Sequence, residues 1–162
     1  MNIEMINSKF VITDFDEFEA YRVGIKIEED GIAFYKNCLN RVTTAAAKEA
    51  IEFLIGEERN HIKFFQDCLY QLRQEKDDVS EEDDLLASID YGIFNKTFIP
   101  AKTSAKEQLS ETIAFAIEIE DRSIEFYQAV QVSVKDEETK LQLLRIVKEE
   151  TRHKAILKGL AI

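Results

Sequence analysis

The sequence predicts an all-α protein, an antiparallel four-helix bundle made of two helical hairpins joined by a long crossover. Three observations lead there. The 162 residues include only five glycines and one proline, and 33% are charged, a composition that suits long helices better than a turn-rich β fold. Apolar residues recur at spacings that alternate three and four through four separate stretches, the pattern of a bundle seam. The chain also contains itself twice. Glu57-Glu58-Arg59-Asn60-His61 returns as Glu149-Glu150-Thr151-Arg152-His153, with His153 standing 92 positions after His61. At that same offset Ile27-Glu28 and Phe34-Tyr35 return as Ile119-Glu120 and Phe126-Tyr127. Repeats of ~20–50 residues would suggest a solenoid; a doubled unit of this length suggests duplication within one bundle.

Residues 1–162 read as one domain. Met1 to Thr13 has no sustained period and is expected to be extended and packed over the core. Thr13 with Asp16 makes a candidate capping box, and the first helix is expected over about 16–41. Its seam is Phe18, Tyr21, Ile25, Glu28, Ile32, Tyr35, Leu39 and Val42. A short turn near Thr44 sends the second helix, about 45–74, back antiparallel. Its seam is Ala47, Ile51, Leu54, Glu58, His61, Phe65, Cys68 and Leu72; Glu57 is expected to point away. A crossover over 75–103 holds a short helix after Ser80 and a break at Pro100. Its length is explained if it traverses the bundle so that the third helix starts at the opposite end. Ser104 with Glu107 is a second capping box, opening a third helix over 104–134 with seam residues Leu109, Ile113, Ala116, Glu120, Ile124, Tyr127 and Val134. Asp136 is the expected N-cap of the fourth helix, 137–158, with Leu143, Ile146, Glu150, His153, Leu157 and Leu160 on its seam and Gly159 as its stop.

Six polar residues thus sit where seams demand apolar ones: Glu28, Glu58, His61, Glu120, Glu150 and His153. Four bare carboxylates at one level of a bundle would be untenable, because a buried unpaired charge costs several kcal/mol or loses its charge. Two divalent cations balance four carboxylates, and neutral imidazoles complete the ligand shells. Glu and His at i and i+3 share one helix face, so one helix can present both to one cation. Oxygen and imidazole donors without thiolate suit iron or manganese better than structural zinc.

These residues resemble the rubrerythrin-like branch of the ferritin-like superfamily. The resemblance rests on Glu28 with Phe34-Tyr35, Glu57-Glu58-x-x-His61, Glu120 with Phe126-Tyr127, and Glu149-Glu150-x-x-His153. It implies two iron ions, with manganese or a mixed pair as alternatives and zinc possible as purified. By resemblance Glu28 and Glu120 each serve one metal, Glu58 and Glu150 bridge, and His61 and His153 take one metal each. Tyr35 and Tyr127 look like the family's tyrosines that hydrogen-bond ligand carboxylates; core packing is their other reading. Two departures stand out. The chain lacks the four-cysteine rubredoxin domain, so electrons would come from a separate, rubredoxin-like donor. The position of rubrerythrin's extra metal-binding carboxylate is Ser123, whose repeat counterpart is Gly31; small residues at both places either leave room for solvent or a small oxidant or, the preferred reading, allow close helix packing.

The resemblance implies an oxidoreductase acting on peroxide or dioxygen. The alternatives are a ferroxidase or iron-handling protein without an organic substrate, and a structural or partner-binding helical domain with a metal staple. A formal net charge of -11 argues against nucleic acid and anionic membranes, which need basic surfaces. The N-terminus has no signal-peptide pattern and no run approaches the ~18 apolar residues that span a bilayer, so a cytoplasmic protein is expected. A homodimer is expected too. Glu29, Asp121, Arg59, Arg122 and Arg152 are candidates to orient the ligands. Cys38 and Cys68 fall at opposite displacements from the site, too far apart to bridge.

Overall fold

The computed structural model describes residues 2–6, 9–75 and 105–160. Two short strands, β1 (Asn2–Ile6) and β2 (Lys9–Thr13), pair antiparallel with Asn2 opposite Thr13 and Ile6 opposite Lys9. The leader is therefore extended, as expected, but as a hairpin that contributes Ile12 to the flank of the core. Thr13 is committed to that ladder, so it does not cap the first helix. Asp14 turns the chain with φ 49°, a left-handed conformation that Asp tolerates better than most residues. Asp16 is the N-cap, its carboxylate accepting from the Glu19 backbone N–H at 2.8 Å.

Four helices follow: α1 (Glu17–Leu39), α2 (Ala45–Glu75), α3 (Ala105–Ser133) and α4 (Glu137–Leu160). Thr44 opens α2, its hydroxyl accepting from Ala47 N–H at 3.2 Å. Asp136 caps α4 by accepting from Thr139 N–H at 2.7 Å. Gly159 does not stop α4, which runs on to Leu160 without a left-handed glycine. The expected crossover beyond Glu75, with its short helix, Pro100 and the Ser104 cap, lies outside the described residues.

Helices α1 and α2 pack as one hairpin and α3 and α4 as the other, with α1 meeting α3 and α2 meeting α4. Cross-bundle contacts fix the directions. Tyr35 reaches Glu120 and Tyr127 reaches Glu28, so α1 and α3 run antiparallel. Helices α2 and α3 therefore point the same way, which puts Glu75 and Ala105 at opposite ends of the bundle. This is a four-helix bundle with pseudo-twofold symmetry. Among the described residues no helix is long and apolar enough to cross a membrane.

The core has two halves. One cluster joins Tyr21, Val23, Ile27, Phe65, Tyr127, Val130 and Leu143; the other joins Ile32, Tyr35, Leu54, Ile55, Ile113 and Leu157. Cys68 belongs to the first and Cys38 to the second, both as free thiols. Burial pushes each thiol up to about 12, so neither is a reactive thiolate.

Two glycines of α1 have opposite reasons. A Cβ on Gly24 would meet the Phe65 ring at 2.9 Å, whereas one on buried Gly31 would meet nothing within 4 Å. Close packing explains Gly24 but not Gly31, where the preferred sequence reading gives way to the alternative of open room. Gly24→Ala is therefore expected to destabilise by about 1–3 kcal/mol of overpacking, less about 1 kcal/mol of helix propensity. Gly31→Ala should stabilise by about 0.5–1 kcal/mol; denaturant midpoints of the two variants check both signs.

Candidate metal centre

Between the two apolar clusters lies a layer of six polar side chains, one from each of α1 and α3 and two from each of α2 and α4. Glu28, Glu58, His61, Glu120, Glu150 and His153 are all at most 3% exposed. The helical period puts them there. Glu58 and His61 are one turn apart on α2, and Glu150 and His153 repeat that pair on α4, so each pair projects from one face.

The donor atoms converge. His61 Nδ1 lies 2.9 Å from Glu150 Oε1, 3.1 Å from Glu58 Oε2 and 3.5 Å from Glu28 Oε1. His153 Nδ1 lies 3.0 Å from Glu150 Oε2, 3.4 Å from Glu58 Oε1 and 3.9 Å from Glu120 Oε2. The two imidazoles stack with centroids 5.8 Å apart. Two groups of four result, Glu28–Glu58–His61–Glu150 and Glu58–Glu120–Glu150–His153, each with donor atoms within 4.8 Å of one another. Glu58 and Glu150 belong to both.

A cation fits this arrangement better than hydrogen bonding does. Among the described residues Glu58 Oε2, His61 Nδ1 and Glu150 Oε1 are buried without a hydrogen-bond partner, although Glu150 Oε1 and Glu58 Oε2 stand 2.9 and 3.1 Å from His61 Nδ1. Ligand atoms about 2.1 Å from a shared cation and at right angles stand about 3.0 Å apart, which is the spacing seen.

Each outer glutamate is held by a tyrosine of the other hairpin. The Tyr35 hydroxyl on α1 donates to Glu120 Oε1 on α3, and the Tyr127 hydroxyl on α3 donates to Glu28 Oε1 on α1. Burial raises both phenols well above their ordinary range, and the facing Glu120 and Glu28 push the same way. They stay protonated and act as donors. This is a role beyond core packing, which they also fill.

Without cations the layer holds protons. Burial, then the charge of Glu150, raises Glu28 and Glu120 well above the usual carboxylate range. Burial opposes charge on the imidazoles too, but the carboxylates facing them outweigh it. Glu150, Glu28 and Glu58 raise His61 well above its ordinary value, and Glu150 and Glu58 raise His153 to about 9. Glu150 is also desolvated, yet bonds from His153 and His61 hold it well below its ordinary value.

The sequence model of the rubrerythrin family matches residues 19–161. The chain belongs to the rubrerythrin family. No curated protein and no solved structure matches it. The match spans the whole bundle, so this family member carries its buried Glu/His layer, compatible with a di-iron centre, inside the matched region.

Around that layer the expected orienting residues behave differently. Asp121 pairs with Lys154 and Arg122 lies 3.5 Å from Glu125. Arg152 sits 4.9 Å over the Phe53 ring and 4.0 Å from Glu57; Glu29 and Arg59 are exposed. One residue not singled out in advance does reach a ligand: Glu149 Oε2 lies 3.0 Å from His61 Nε2. Its only signal was membership of the repeated string. Ser123 is buried, its hydroxyl donating to the Ile119 carbonyl at 3.2 Å within its own helix.

Two outcomes follow from the proton load. Raised pKa values of Glu28, Glu120 and His153 stabilise the metal-free fold below their unfolded values, and that contribution is lost as pH rises through about 9 for His153. Metal-free protein should thus melt higher at pH 6 than at pH 9. Cations must displace those protons, so divalent-metal affinity should change in the opposite sense and uptake should release protons to the buffer. In a second experiment, Tyr127→Phe or Tyr35→Phe should weaken metal affinity by about 10–100-fold, read by competition with a chelator.

Proposed function

We propose that this chain is a di-iron oxidoreductase that reacts with peroxide or dioxygen and draws its electrons from a separate donor protein. The observation that carries this reading is the sharing of Glu58 and Glu150 by two four-donor groups, each with one imidazole. One group alone would serve a single structural ion; two that overlap through a pair of carboxylates suit a coupled pair. Four carboxylates against two divalent cations also leave the buried layer without net charge. The donor set of oxygen and imidazole, without thiolate, favours iron or manganese.

When bound, the metal pair supplies Lewis acidity and two one-electron equivalents. The chain's own residues do the rest. Glu28 with His61, and Glu120 with His153, would each hold one ion, and Glu58 with Glu150 would lie between them. The Tyr35 and Tyr127 hydroxyls fix the orientation of Glu120 and Glu28 and keep their protons while doing so. The apolar clusters above and below exclude bulk water from the layer. Gly31, one turn from Glu28, leaves open space where a Cβ would stand, which is compatible with access for solvent or a small oxidant.

A ferroxidase reading is favoured by one observation. Ser123 stands where the family resemblance calls for an additional carboxylate, and its hydroxyl is turned to its own helix backbone.

Metal analysis of protein purified without chelators is expected to give about two Fe or Mn per chain, with a higher melting temperature after anaerobic Fe(II) addition. No bound metal and no such gain would remove both readings. Stopped-flow absorbance of the reduced protein then separates them: faster oxidation by hydrogen peroxide than by dioxygen supports the peroxidase, and the reverse order supports the ferroxidase.

A further inference from the structure

The two halves of the site are built from one repeated string, but their imidazoles are held differently. His61 turns Nδ1 to the carboxylate layer and Nε2 to Glu149, whose carboxylate accepts at 3.0 Å. With a cation bound, a carboxylate acceptor would fix the ring proton on Nε2 and leave Nδ1 to face the cation. His153 also turns Nδ1 inward, 3.0 Å from Glu150, but its Nε2 is buried without a hydrogen-bond partner. The repeat assigns that partnership to Glu57. Glu57 instead lies 4.0 Å from Arg152 Nη1, with 22% of its side chain exposed.

The reason lies one position before the histidines. Arg152 occupies, in the second copy, the place held by Asn60 in the first. Glu57 therefore faces a guanidinium across the α2–α4 contact, whereas Glu149 has an uncharged residue at the matching place. Glu57 is turned to the guanidinium, whereas Glu149 is turned to the imidazole.

An acceptor on the far ring nitrogen raises the basicity of the ligating one and fixes its direction, an effect typically of 10–100-fold in metal affinity. We propose that Glu149 makes the two cation positions unequal, so that the position built on His61 fills first and the one built on His153 fills second. Asn60 and Arg152 set this order. It rests on the metal-centre reading above and adds to it a sequence of loading.

Co(II) is a suitable probe, because its visible absorption reports occupancy without redox turnover. Anaerobic titration of the metal-free chain should show two steps separated by at least about 10-fold in affinity. Glu149→Ala should weaken the His61 position by about 10–100-fold and leave the His153 position within about threefold, so that the two steps merge or exchange order. Glu149 is 44% exposed in its side chain, so this variant should fold, which far-UV circular dichroism checks. Arg152→Asn, at an exposed position, should release Glu57 to His153 and tighten the second step by about 10-fold. Glu57→Gln in the otherwise unchanged chain should alter neither step. In proton NMR at one equivalent, one shifted exchangeable imidazole proton should appear, and it should be lost in Glu149→Ala. Two equal steps in the unaltered chain, or a first step insensitive to Glu149→Ala, overturn the inference alone. A failure to take up Co(II) overturns the metal-centre reading and this inference together.

Discussion

The structure depends on one constraint: a layer of four carboxylates and two imidazoles sits buried midway along an otherwise apolar bundle. No hydrophobic packing can hold such a layer, and each group would cost several kcal/mol if left charged and alone. Metal-free protein meets the constraint with protons, held on Glu28, Glu120 and the histidines. Cations meet it with opposite charge. The layer is clamped from both sides by clusters that each reach across all four helices.

The clamps are tied into the layer by the tyrosines. Each belongs to one apolar cluster and donates into the layer from the opposite hairpin. The pseudo-twofold axis makes the two bonds equivalent and makes each hairpin incomplete alone. A hairpin supplies an outer glutamate but not the hydroxyl that orients it, so the site and the pairing of hairpins stand or fall as one unit.

Much of this was legible in the sequence because the signal is an anomaly on a regular pattern. A charged residue on an apolar seam is visible without coordinates, and Glu28, Glu58, His61, Glu120, Glu150 and His153 each stand out that way. Helix bounds were legible to within two or three residues at either end. The β hairpin was not, since the leader carries no period and its ladder depends on backbone pairing. In sequence Asp16 reads as the partner of a Thr13 cap, and it is the cap itself because Thr13 is taken by β2. Glu149 was hidden for a different reason. It and Glu57 occupy identical places beside the seam, and only the contact between α2 and α4 decides which reaches a ligand. Gly31 and Gly24 likewise look alike in sequence; the void beside one and the Phe65 ring against the other are properties of neighbouring helices.

The two cysteines acquire a meaning from where they are buried. Desolvation holds both thiols near 12, and they sit at opposite ends of the bundle. A thiol so rarely ionised is a poor nucleophile towards oxidants, because attack on an O–O bond proceeds through the thiolate. A protein that meets peroxide at its centre would thus keep its own sulfur out of the reaction. Sulfenic acid at Cys38 or at Cys68 would place a polar group inside one of the two apolar clusters. Desolvation of the thiols is thereby also a form of self-protection for the packing that holds the carboxylate layer in place.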